Sequence, residues 1–303
     1  MKSIVLYSLL FMTMFACIDS HNNLPGEKKS DEFINDRLQE SNRRMIEAAK
    51  DKSFPAISDL YDRNALLMAE YNSLIGKRDN IKIYYDEIFD RQTIKEYTRE
   101  VIDILIFENR VIEIGLFNKV LDNSDQYKGK YFNVWKFGKN QQLTLVAESF
   151  GYLHQIDNPS KLVVHEAKKS EPVPVNIPWE LEAYMALNES NVMDRVPERS
   201  ANAYTKDAMY LPFADTIKAG KGTLLKHYQA YYANPAKIDS IQVFTYAYDS
   251  VTDGYINYGG FYVDWSVPGF SGNTTGTGIS YWRREADNSL RIHRQIGLHI
   301  HKE

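Results

Sequence analysis

The second half of this chain repeats its first half. In the first copy LYDRNALLM (residues 60–68) precedes YFNVWKFGKNQQLTL (131–145), and in the second AYTKDAMYL (203–211) precedes GISYWRREADNSLRI (278–292). Matching positions lie 143 to 147 residues apart. A duplicated unit of that length is a domain rather than a short solenoid repeat. The sequence therefore predicts two similar domains in 303 residues.

Four residue pairs anchor the alignment of the two copies. They are Tyr61 with Tyr204, Gly76 with Gly220, Trp135 with Trp282, and Leu143 with Leu290. The tryptophans fall on equivalent predicted strands, where each side chain either fills the core of its domain or lines a cavity and stacks on an apolar ligand.

Each copy begins with helical patterns and ends with strand patterns. In the first copy Ser30 can cap a helix, a second helix is predicted over residues 53–63, and a third starts near Arg78. Strands are predicted over residues 97–107, 110–121, 128–137 and 142–152, and again over 238–248, 254–265, 276–284 and 289–299. The predicted fold class is α+β, with two similar cone-shaped domains, each of three helices packed on a bent, mostly antiparallel sheet.

Composition marks the domain boundaries. The first domain is predicted over residues 31–156 and the second over 178–303. The linker between them, residues 157–177, contains Pro159, Pro172 and Pro174. Residues 266–273 have no counterpart in the first copy and are predicted to form a long hairpin loop.

The N-terminus carries a targeting signal. Residues 1–16 are predicted as a signal peptide whose apolar run is too short to span a bilayer as a normal helix, and residues 17–30 as a polar tether. The run ends at Ala16-Cys17, and Cys17 is the only cysteine of the sequence. This ending resembles the lipobox of bacterial lipoproteins, in which the cysteine receives diacylglycerol. The resemblance implies lipidation at Cys17 and a location in the bacterial cell envelope, at its periplasmic or surface face; the alternative is an ordinary secretory signal.

Charge excludes one class of partner. Without Lys2 and its signal peptide the chain has 35 basic and 40 acidic residues, and no long basic run is present. Proteins that bind nucleic acid need a basic patch to contact phosphates. The sequence therefore predicts no nucleic-acid partner.

The order of these motifs resembles the nuclear transport factor two-like superfamily, and within it the SnoaL-like and ketosteroid-isomerase-like branches. In the second copy the resemblance rests on Tyr204-Thr205-Lys206-Asp207-Ala208, Gly220-Lys221 and Tyr281-Trp282-Arg283-Arg284, and in the first on Tyr61-Asp62-Arg63-Asn64-Ala65, Gly76-Lys77 and Val134-Trp135-Lys136. It covers nearly all of the chain after residue 30. Because such a fold hosts enzymes, binding modules and oligomerisation domains, it leaves the chemistry open.

The isomerase chemistry needs a carboxylate base together with donors for an oxyanion. The family alignment puts the base at Pro212 in the second copy and at Ala69 in the first, and neither residue accepts a proton. The oxyanion position falls on Ser280 and Asn133, which donate hydrogen bonds. We therefore predict no catalytic residue, and no catalytic carboxylate within reach of the second-domain pocket, because the expected position holds Pro212.

Histidines offer no clear alternative chemistry. His293, His299 and His301 lack an acidic partner in the sequence pattern, so we predict a polar strand face rather than a metal site. His227 is predicted as a partly exposed helix residue. No cofactor-binding motif is recognised, and no cofactor is predicted.

The leading hypothesis is a membrane-anchored, non-catalytic tandem protein that binds a small apolar or amphipathic ligand, chiefly in the second domain. The alternatives are a cofactor-free SnoaL-like enzyme in that domain and an assembly module, with a homo-oligomer possible. The predicted ligand-binding residues are Trp282, Ser280, Tyr262 and Tyr184 in the second domain, and Trp135 and Asn133 in the first.

Replacing Cys17 with Ser should release the protein from the membrane fraction, because the diacylglycerol anchor attaches to that thiol. Fractionation of cells that express the parent and the C17S variant measures this. A variant that stays with the membranes as firmly as the parent would show that Cys17 is not the anchor.

Overall fold

The computed structural model describes residues 30–138, 142–167 and 175–301, and all structural statements below concern these ranges. In the first domain the elements are α1 (Asp31–Lys50), β1 (Tyr61–Ala69), β2 (Ile75–Gly76), α2 (Arg78–Arg91), β3 (Ile94–Ile106), β4 (Arg110–Leu121), β5 (Gln126–Phe137) and β6 (Leu143–Tyr152). In the second they are α3 (Trp179–Asp194), α4 (Pro197–Asn202), β7 (Tyr204–Leu211), β8 (Lys218–Ala219), α5 (Lys221–Ala233), β9 (Lys237–Val251), β10 (Gly254–Val267), β11 (Phe270–Arg284) and β12 (Leu290–His299).

Helix α1 begins where the sequence predicts. The Ser30 side chain accepts a hydrogen bond from the Phe33 N–H at 3.2 Å, and Asp31 and Glu32 occupy the first turn, where the helix dipole favours negative charge. Ile34 and Leu38 are buried on the face that turns to the sheet.

The second helix predicted for the first copy is wrong. Residues 54–60 instead contain two short 3-10 turns, Phe54–Ala56 and Ser58–Leu60, and residues 61–63 belong to β1, which starts at Tyr61. Pro55 starts the first turn, but apolar residues then continue into a strand that pairs with β6. Pairing along a buried strand outweighs a weak helical period, since propensity is only a local preference. In the second copy the short helix α4 occupies this place.

Each domain contains a bent six-stranded sheet. The strand orders are β2-β1-β6-β5-β4-β3 and β8-β7-β12-β11-β10-β9. The pairs β1–β6 and β7–β12 are parallel, and the other neighbours are antiparallel. The predicted fold class and its duplication are therefore confirmed.

The register corrects one pair in the sequence alignment. Trp135 and Trp282 occupy equivalent places on β5 and β11, as predicted. The counterpart of Gly220 is Lys77, one residue after the Gly76 that the alignment chose. Both residues cap the following helix with a positive φ, 78° and 74° respectively. Glycine adopts a positive φ freely and is the usual residue at such a position. The sequence alignment therefore paired Gly220 with Gly76 instead of Lys77.

The long hairpin loop predicted at residues 266–273 is also wrong. Strand β10 continues to Val267 and β11 restarts at Phe270, so the turn is short and Gly269 takes a φ of 82°. Trp265 and Phe270 contact each other near the tip, with ring centroids 5.6 Å apart. Contacts between side chains on paired strands stabilise a hairpin. Here the two strands continue through residues that the sequence motif alone assigns to a loop.

The two sheets pack against each other through a shared apolar layer. The first domain contributes Met68, Leu74, Ile112, Ile114, Phe132, Val134 and Ala147, and the second contributes Leu211, Ile256, Tyr258, Ile279, Tyr281, Ile296 and Leu298. Because side chains alternate along a strand, the opposite face of each sheet turns toward the helices of its own domain. Each sheet is thus covered on both faces.

Ion pairs rim this layer. Arg110 of the first domain donates to Asp249 of the second at 2.8 Å, and Arg294 of the second donates to Asp103 of the first at 2.6 Å. Both pairs are partly buried, so water screens them less than it screens surface pairs. They fix the relative orientation of the two sheets.

Part of the predicted linker packs on the first domain. Leu162, Val164 and Ala167 are buried in its core. Asn72 binds both the Leu162 carbonyl, at 3.0 Å, and the Val164 N–H, at 2.8 Å. The boundaries at 156 and 178 stay a prediction, since residues 168–174 lie outside the described ranges.

In the part of the chain that the structure covers, no helix has the length and apolar character needed to cross a membrane. The predicted signal peptide, most of the tether and the lipidation site Cys17 lie outside the described residues.

Replacing Phe132 with Ala should destabilise both domains together. Phe132 is fully buried in the shared layer, and its removal leaves a cavity that typically costs ~3–5 kcal/mol. Urea unfolding followed by circular dichroism, with hydrogen exchange in each domain, measures the change. Phe270→Ala is the matched control, because Phe270 is 63% exposed and should cost little. Separate midpoints for the two domains in the parent would contradict the shared layer.

Candidate functional site

The second domain encloses a cavity between its helices and the concave face of its sheet. Its volume is about 420 Å³, within the range of small-molecule sites. Helices α3 and α5 form one wall, strands β9 to β12 form another, and the loop after β7 closes one side. Its aromatic lining residues are Tyr204, Tyr210, Phe213, His227, Tyr228, Tyr231, Tyr232, Phe261, Trp282 and His299.

Three glycines form the floor of the cavity. Gly259, Gly278 and Gly297 lie side by side on β10, β11 and β12, with Gly259 paired to Gly278 and Gly278 paired to Gly297. We call this row the glycine stripe. A Cβ on Gly278 would lie 2.2 Å from the Ile296 carbonyl oxygen, so the bent sheet leaves no room there. The stripe presents bare backbone to the cavity.

The first domain carries large side chains where the second has the stripe. The corresponding row in its sheet is Gly115, Tyr131 and Phe150, as the strand pairing shows. Arg99, whose guanidinium lies 3.9 Å from the Tyr131 ring centroid, occupies the place of Val243. These side chains fill the space, and a void of only about 20 Å³ remains.

A buried polar network completes the filling of the first domain. Glu113 accepts hydrogen bonds from Asn42 at 2.6 Å, from Tyr131 at 3.0 Å, and from Trp135 at 2.8 Å. Asn133 also donates to it, at 3.3 Å. Hydrogen bonds to an ionised carboxylate are stronger than neutral ones. The network therefore holds Trp135 and Asn133 in a closed core.

A second carboxylate of this core is Glu148. It accepts hydrogen bonds from Tyr61 at 2.6 Å and from Tyr85 at 2.7 Å. Arg99 is buried among these groups and donates to Asn42 at 2.6 Å. The interior of the first domain is thus charged and occupied.

The second domain replaces each of these charges by a neutral side chain. The register puts Asn257 at the place of Glu113 and Gln295 at the place of Glu148. Thr245 donates to Asn257 at 2.8 Å, and Tyr204 donates to Gln295. With Val243 in place of Arg99, the ionic network disappears. The same scaffold leaves a cavity lined by amides and phenols.

Hydroxyl groups gather at one end of this cavity. Tyr204 and Tyr228 lie 2.9 Å apart, hydroxyl to hydroxyl. Trp282 donates from its indole nitrogen to Ser280 at 2.9 Å. Burial raises the pKa of Tyr204 and Tyr228, so both phenols are protonated at neutral pH. This end can both donate and accept hydrogen bonds.

His227 and Asp215 also line the cavity, and the His227 ring centroid lies 5.4 Å from that of Tyr228. The His227 Nδ1 is 4.0 Å from an Asp215 oxygen, and Lys218 donates to Asp215 at 2.8 Å. Burial and the Lys218 charge lower the pKa of His227, so its ring is neutral at pH 7. A distance of 4.0 Å exceeds that of a hydrogen bond. As arranged, Asp215 pairs with Lys218 and does not orient His227.

His299 forms part of the wall. Its ring stacks on Phe213 with centroids 4.0 Å apart and an angle of 8° between the planes. Burial lowers the pKa of His299 to about 4. It is therefore an uncharged aromatic surface at neutral pH.

The structure brings only part of the predicted site together. Trp282 and Ser280 line the cavity as expected. Tyr262 does not, because Asn257, Gly259, Phe261 and Val263 face the cavity and alternation turns Tyr262 to the opposite face. Tyr184 lines a neighbouring pocket of about 310 Å³, which shares Trp282 and Asn188 with the cavity. Trp135 and Asn133 lie in the filled first domain and face no cavity.

Sequence analysis missed several residues of the site. His227 and His299 line the cavity, whereas the sequence predicted a partly exposed helix residue and a polar strand face. Asp215 also lines the cavity and pairs with Lys218, and the prediction that no catalytic carboxylate is within reach stays a prediction. One signal was present: Gly259, Gly278 and Gly297 recur at intervals of 19 residues, which places them in register across two hairpins.

The family alignment assigned the base to Pro212 and Ala69. Pro212 lines the cavity and supplies no base. Glu70, which follows Ala69, lies near Lys130 rather than among the residues around the Glu113 network. Among the described residues no group of three or more histidines, cysteines or carboxylates could hold a metal ion.

No family model matches the sequence, and no curated protein is similar to it. Solved structures match it at the length of one domain. A ketosteroid isomerase-like protein from Erwinia carotovora atroseptica is 12% identical with a TM-score of 0.37, over 41% of this chain and 96% of that chain. An NTF2-like protein with a cystatin-like fold from Novosphingobium aromaticivorans is 14% identical with a TM-score of 0.33, over 41% and 82%.

Each of these two matches covers 41% of this chain. The two-domain architecture itself rests on the strand topology described above. The site must be interpreted from its own residues.

Acid should destabilise the protein through His299. The pKa of His299 is about 4 in the folded chain and 6.5 in its ordinary state, so between these values the unfolded state binds a proton that the folded state does not. The free energy of unfolding therefore falls as the pH drops from 6.5 to 4. Urea unfolding at several pH values measures this, and the loss of unfolding free energy between pH 6.5 and 4 should be smaller in His299→Gln than in the parent. A pKa of 6.5 or above for His299, measured by NMR titration, would contradict the burial.

Proposed function

We propose that the second domain binds a flat, uncharged, mostly apolar ligand that carries one or two polar groups, and that the filled interior of the first domain binds no ligand. The observation that carries this proposal is the glycine stripe. The same scaffold is filled by Tyr131 and Phe150 in one domain and left open by Gly278 and Gly297 in the other.

The shape of the cavity supports a flat ligand. The glycine stripe has no side chains, so a planar ring system can lie flat against its backbone. Trp282 lies on β11, the strand that carries Gly278, and its indole lines the cavity. Aromatic side chains pack well against planar groups. Aliphatic residues of β9 and β10, Ile238, Ile241 and Val263, extend the apolar wall.

The electrostatics support an uncharged ligand. Among the residues that line the cavity in the described ranges there is no lysine or arginine, and the one carboxylate, Asp215, is paired with Lys218. An unpaired charge is costly to bury in such surroundings. The polar groups of the ligand would meet Tyr204, Tyr228, Ser280 and Gln295.

The cellular setting belongs to the same proposal. Lipidation at Cys17 would hold the protein at a membrane of the bacterial cell envelope, with residues 17–30 as a tether. A carrier or sensor of apolar molecules at that surface fits an open, uncharged cavity. The support for this location is the sequence before Cys17.

A second candidate function is proton transfer at carbon, favoured by the neutral His227 beside Asp215. A neutral imidazole in an apolar cavity is a competent base. The 4.0 Å separation leaves that base unoriented, so the geometry supports binding better. Catalysis would require that His227→Gln abolish turnover while the cavity still binds a ligand.

A series of variants at Gly297 tests ligand binding. A Cβ at this position would meet nothing closer than the Tyr210 hydroxyl at 3.5 Å, so a larger side chain projects into the cavity. The neutral fluorescent probe N-phenyl-1-naphthylamine should bind the parent and Gly297→Ala. Gly297→Val should bind it more weakly, and Gly297→Phe, which copies Phe150 of the first domain, should not bind it measurably.

The control for this series is Gly222→Ala, where a Cβ meets nothing within 4 Å. Thermal unfolding of each variant confirms that the fold persists. Equal fluorescence enhancement in the parent and in a folded Gly297→Phe variant would show that the probe binds elsewhere, and the proposal would be wrong.

A further inference from the structure

One loop of the cavity wall is held by the other domain. Residues 212–217, which we call the wall loop, connect β7 to β8, and Pro212, Phe213 and Asp215 of this loop line the cavity. Ala214 in its middle has a φ of 47°, which an alanine rarely adopts. A loop with such a residue persists only when its surroundings determine its path.

Lys130 of the first domain supplies the main polar contact. Its ammonium donates to the Asp215 carbonyl oxygen at 2.8 Å and to the Tyr152 carbonyl oxygen at 2.6 Å. The Lys130 side chain is fully buried. A buried ammonium is costly unless its partners are fixed, so this contact defines where the wall loop must lie.

Glu70 lies beside this ammonium. Its carboxylate accepts a hydrogen bond from the Tyr152 N–H at 3.1 Å, and Lys130 and the Ala214 amide favour its charged form. Burial acts in the opposite sense, raising the pKa of Glu70 to about 7 and lowering that of Lys130 to about 8. The titratable and charged groups around the pair are Tyr71, Tyr152, Asp215 and Lys218.

Aromatic packing reinforces the contact. Tyr71 of the first domain meets Phe213 of the wall loop edge-on, with centroids 5.8 Å apart. The Tyr71 N–H donates to the His299 carbonyl at 2.8 Å, and the His301 N–H donates to the Tyr71 carbonyl at 3.0 Å. Phe213 is thus packed between a first-domain ring and His299 of the cavity wall.

The duplication shows that the arrangement is one-sided. The register places Thr277 of the second domain where the first has Lys130, and the Thr277 hydroxyl has no hydrogen-bond partner in the described ranges. Phe213 likewise occupies the place of Glu70. The first domain therefore holds a loop of the second domain through Lys130. Thr277, at the equivalent position of the second domain, makes no such contact within the described part of the chain.

We infer that Lys130 is a positioning residue through which the first domain shapes the ligand cavity of the second. The inference rests on the proposed function, in that its effect on binding needs a ligand in the cavity. The Lys130 contact fixes the wall loop, and the wall loop fixes Phe213 and Asp215 in the cavity wall. Ionised Glu70 strengthens this hold, and its protonation weakens it.

Hydrogen exchange of the wall loop tests the inference without any ligand. In Lys130→Met the amides of residues 213–217 should exchange about ten-fold faster or more, since a buried hydrogen bond from a charged donor is lost. The control is Lys119→Met, which removes an ammonium over the Tyr97 ring in the first domain and should leave the loop unchanged. An unchanged exchange rate in a folded Lys130→Met variant overturns the inference.

Binding of N-phenyl-1-naphthylamine gives the second readout. Its Kd should rise about ten-fold in Lys130→Met and not in Lys119→Met. At a single pH of 7.5 the Kd should also be higher in Glu70→Gln than in the parent, because the carboxylate beside the Lys130 ammonium is lost. If Lys130→Met does not fold, Glu70→Gln decides, and a Kd in that variant equal to the parent's overturns the inference. If the parent binds no probe, but the wall loop exchanges faster in Lys130→Met than in the parent, the proposed function is wrong. The inference that Lys130 positions the wall loop is then still supported.

Discussion

The packing of the two sheets against each other is the contact on which the rest of the structure depends. One face of each sheet is buried in the shared layer around Phe132 and Ile279, and the other face turns to the helices of its own domain. Each domain has a concave interior that this shared layer does not use. The interior of the first domain is filled, whereas that of the second holds both a buried cluster around Trp282 and the cavity.

The two interiors have diverged in volume and in charge. In the first, Arg99, Glu113 and Glu148 form a buried ionic network with tyrosines around it. This network leaves no room for a ligand, although Arg99 Nη2 and Asn133 Oδ1 within it have no hydrogen-bond partner among the described residues. In the second, amides and glycines at the equivalent places leave a neutral cavity. The division of roles follows from a few residues in register, and it makes the first domain a support for the second.

The architecture could be predicted from the sequence because most elements give a signal in both copies. The strands, the equivalent tryptophans and the α+β class follow from patterns that recur in both copies. Two of the errors lie in segments for which only one copy gave a signal. Residues 54–60 contain two 3-10 turns, and residues 61–63 begin β1, where strand pairing outweighs a weak helical period. The hairpin of β10 and β11 extends through cross-strand packing of Trp265 and Phe270.

The site was less predictable for a physical reason. Trp282 and Ser280 could be located because they lie beside a conspicuous strand motif, whereas the face of Tyr262 depends on a strand register that the sequence does not show. His227, Asp215 and His299 enter the cavity from different elements and meet only through tertiary folding. The cavity exists because the three glycines of the glycine stripe have no side chains. Their alignment is recognised only once the pairing of the strands is known.

An experimental electron-density map of the mature protein, purified from its own cells without added ligand, tests the central claim most directly. The account predicts density for a flat molecule over Gly278 beside Trp282 in the second domain, and side chains alone around Glu113 in the first. A second-domain cavity filled by its own side chains, or a ligand bound within the first domain instead, would contradict it.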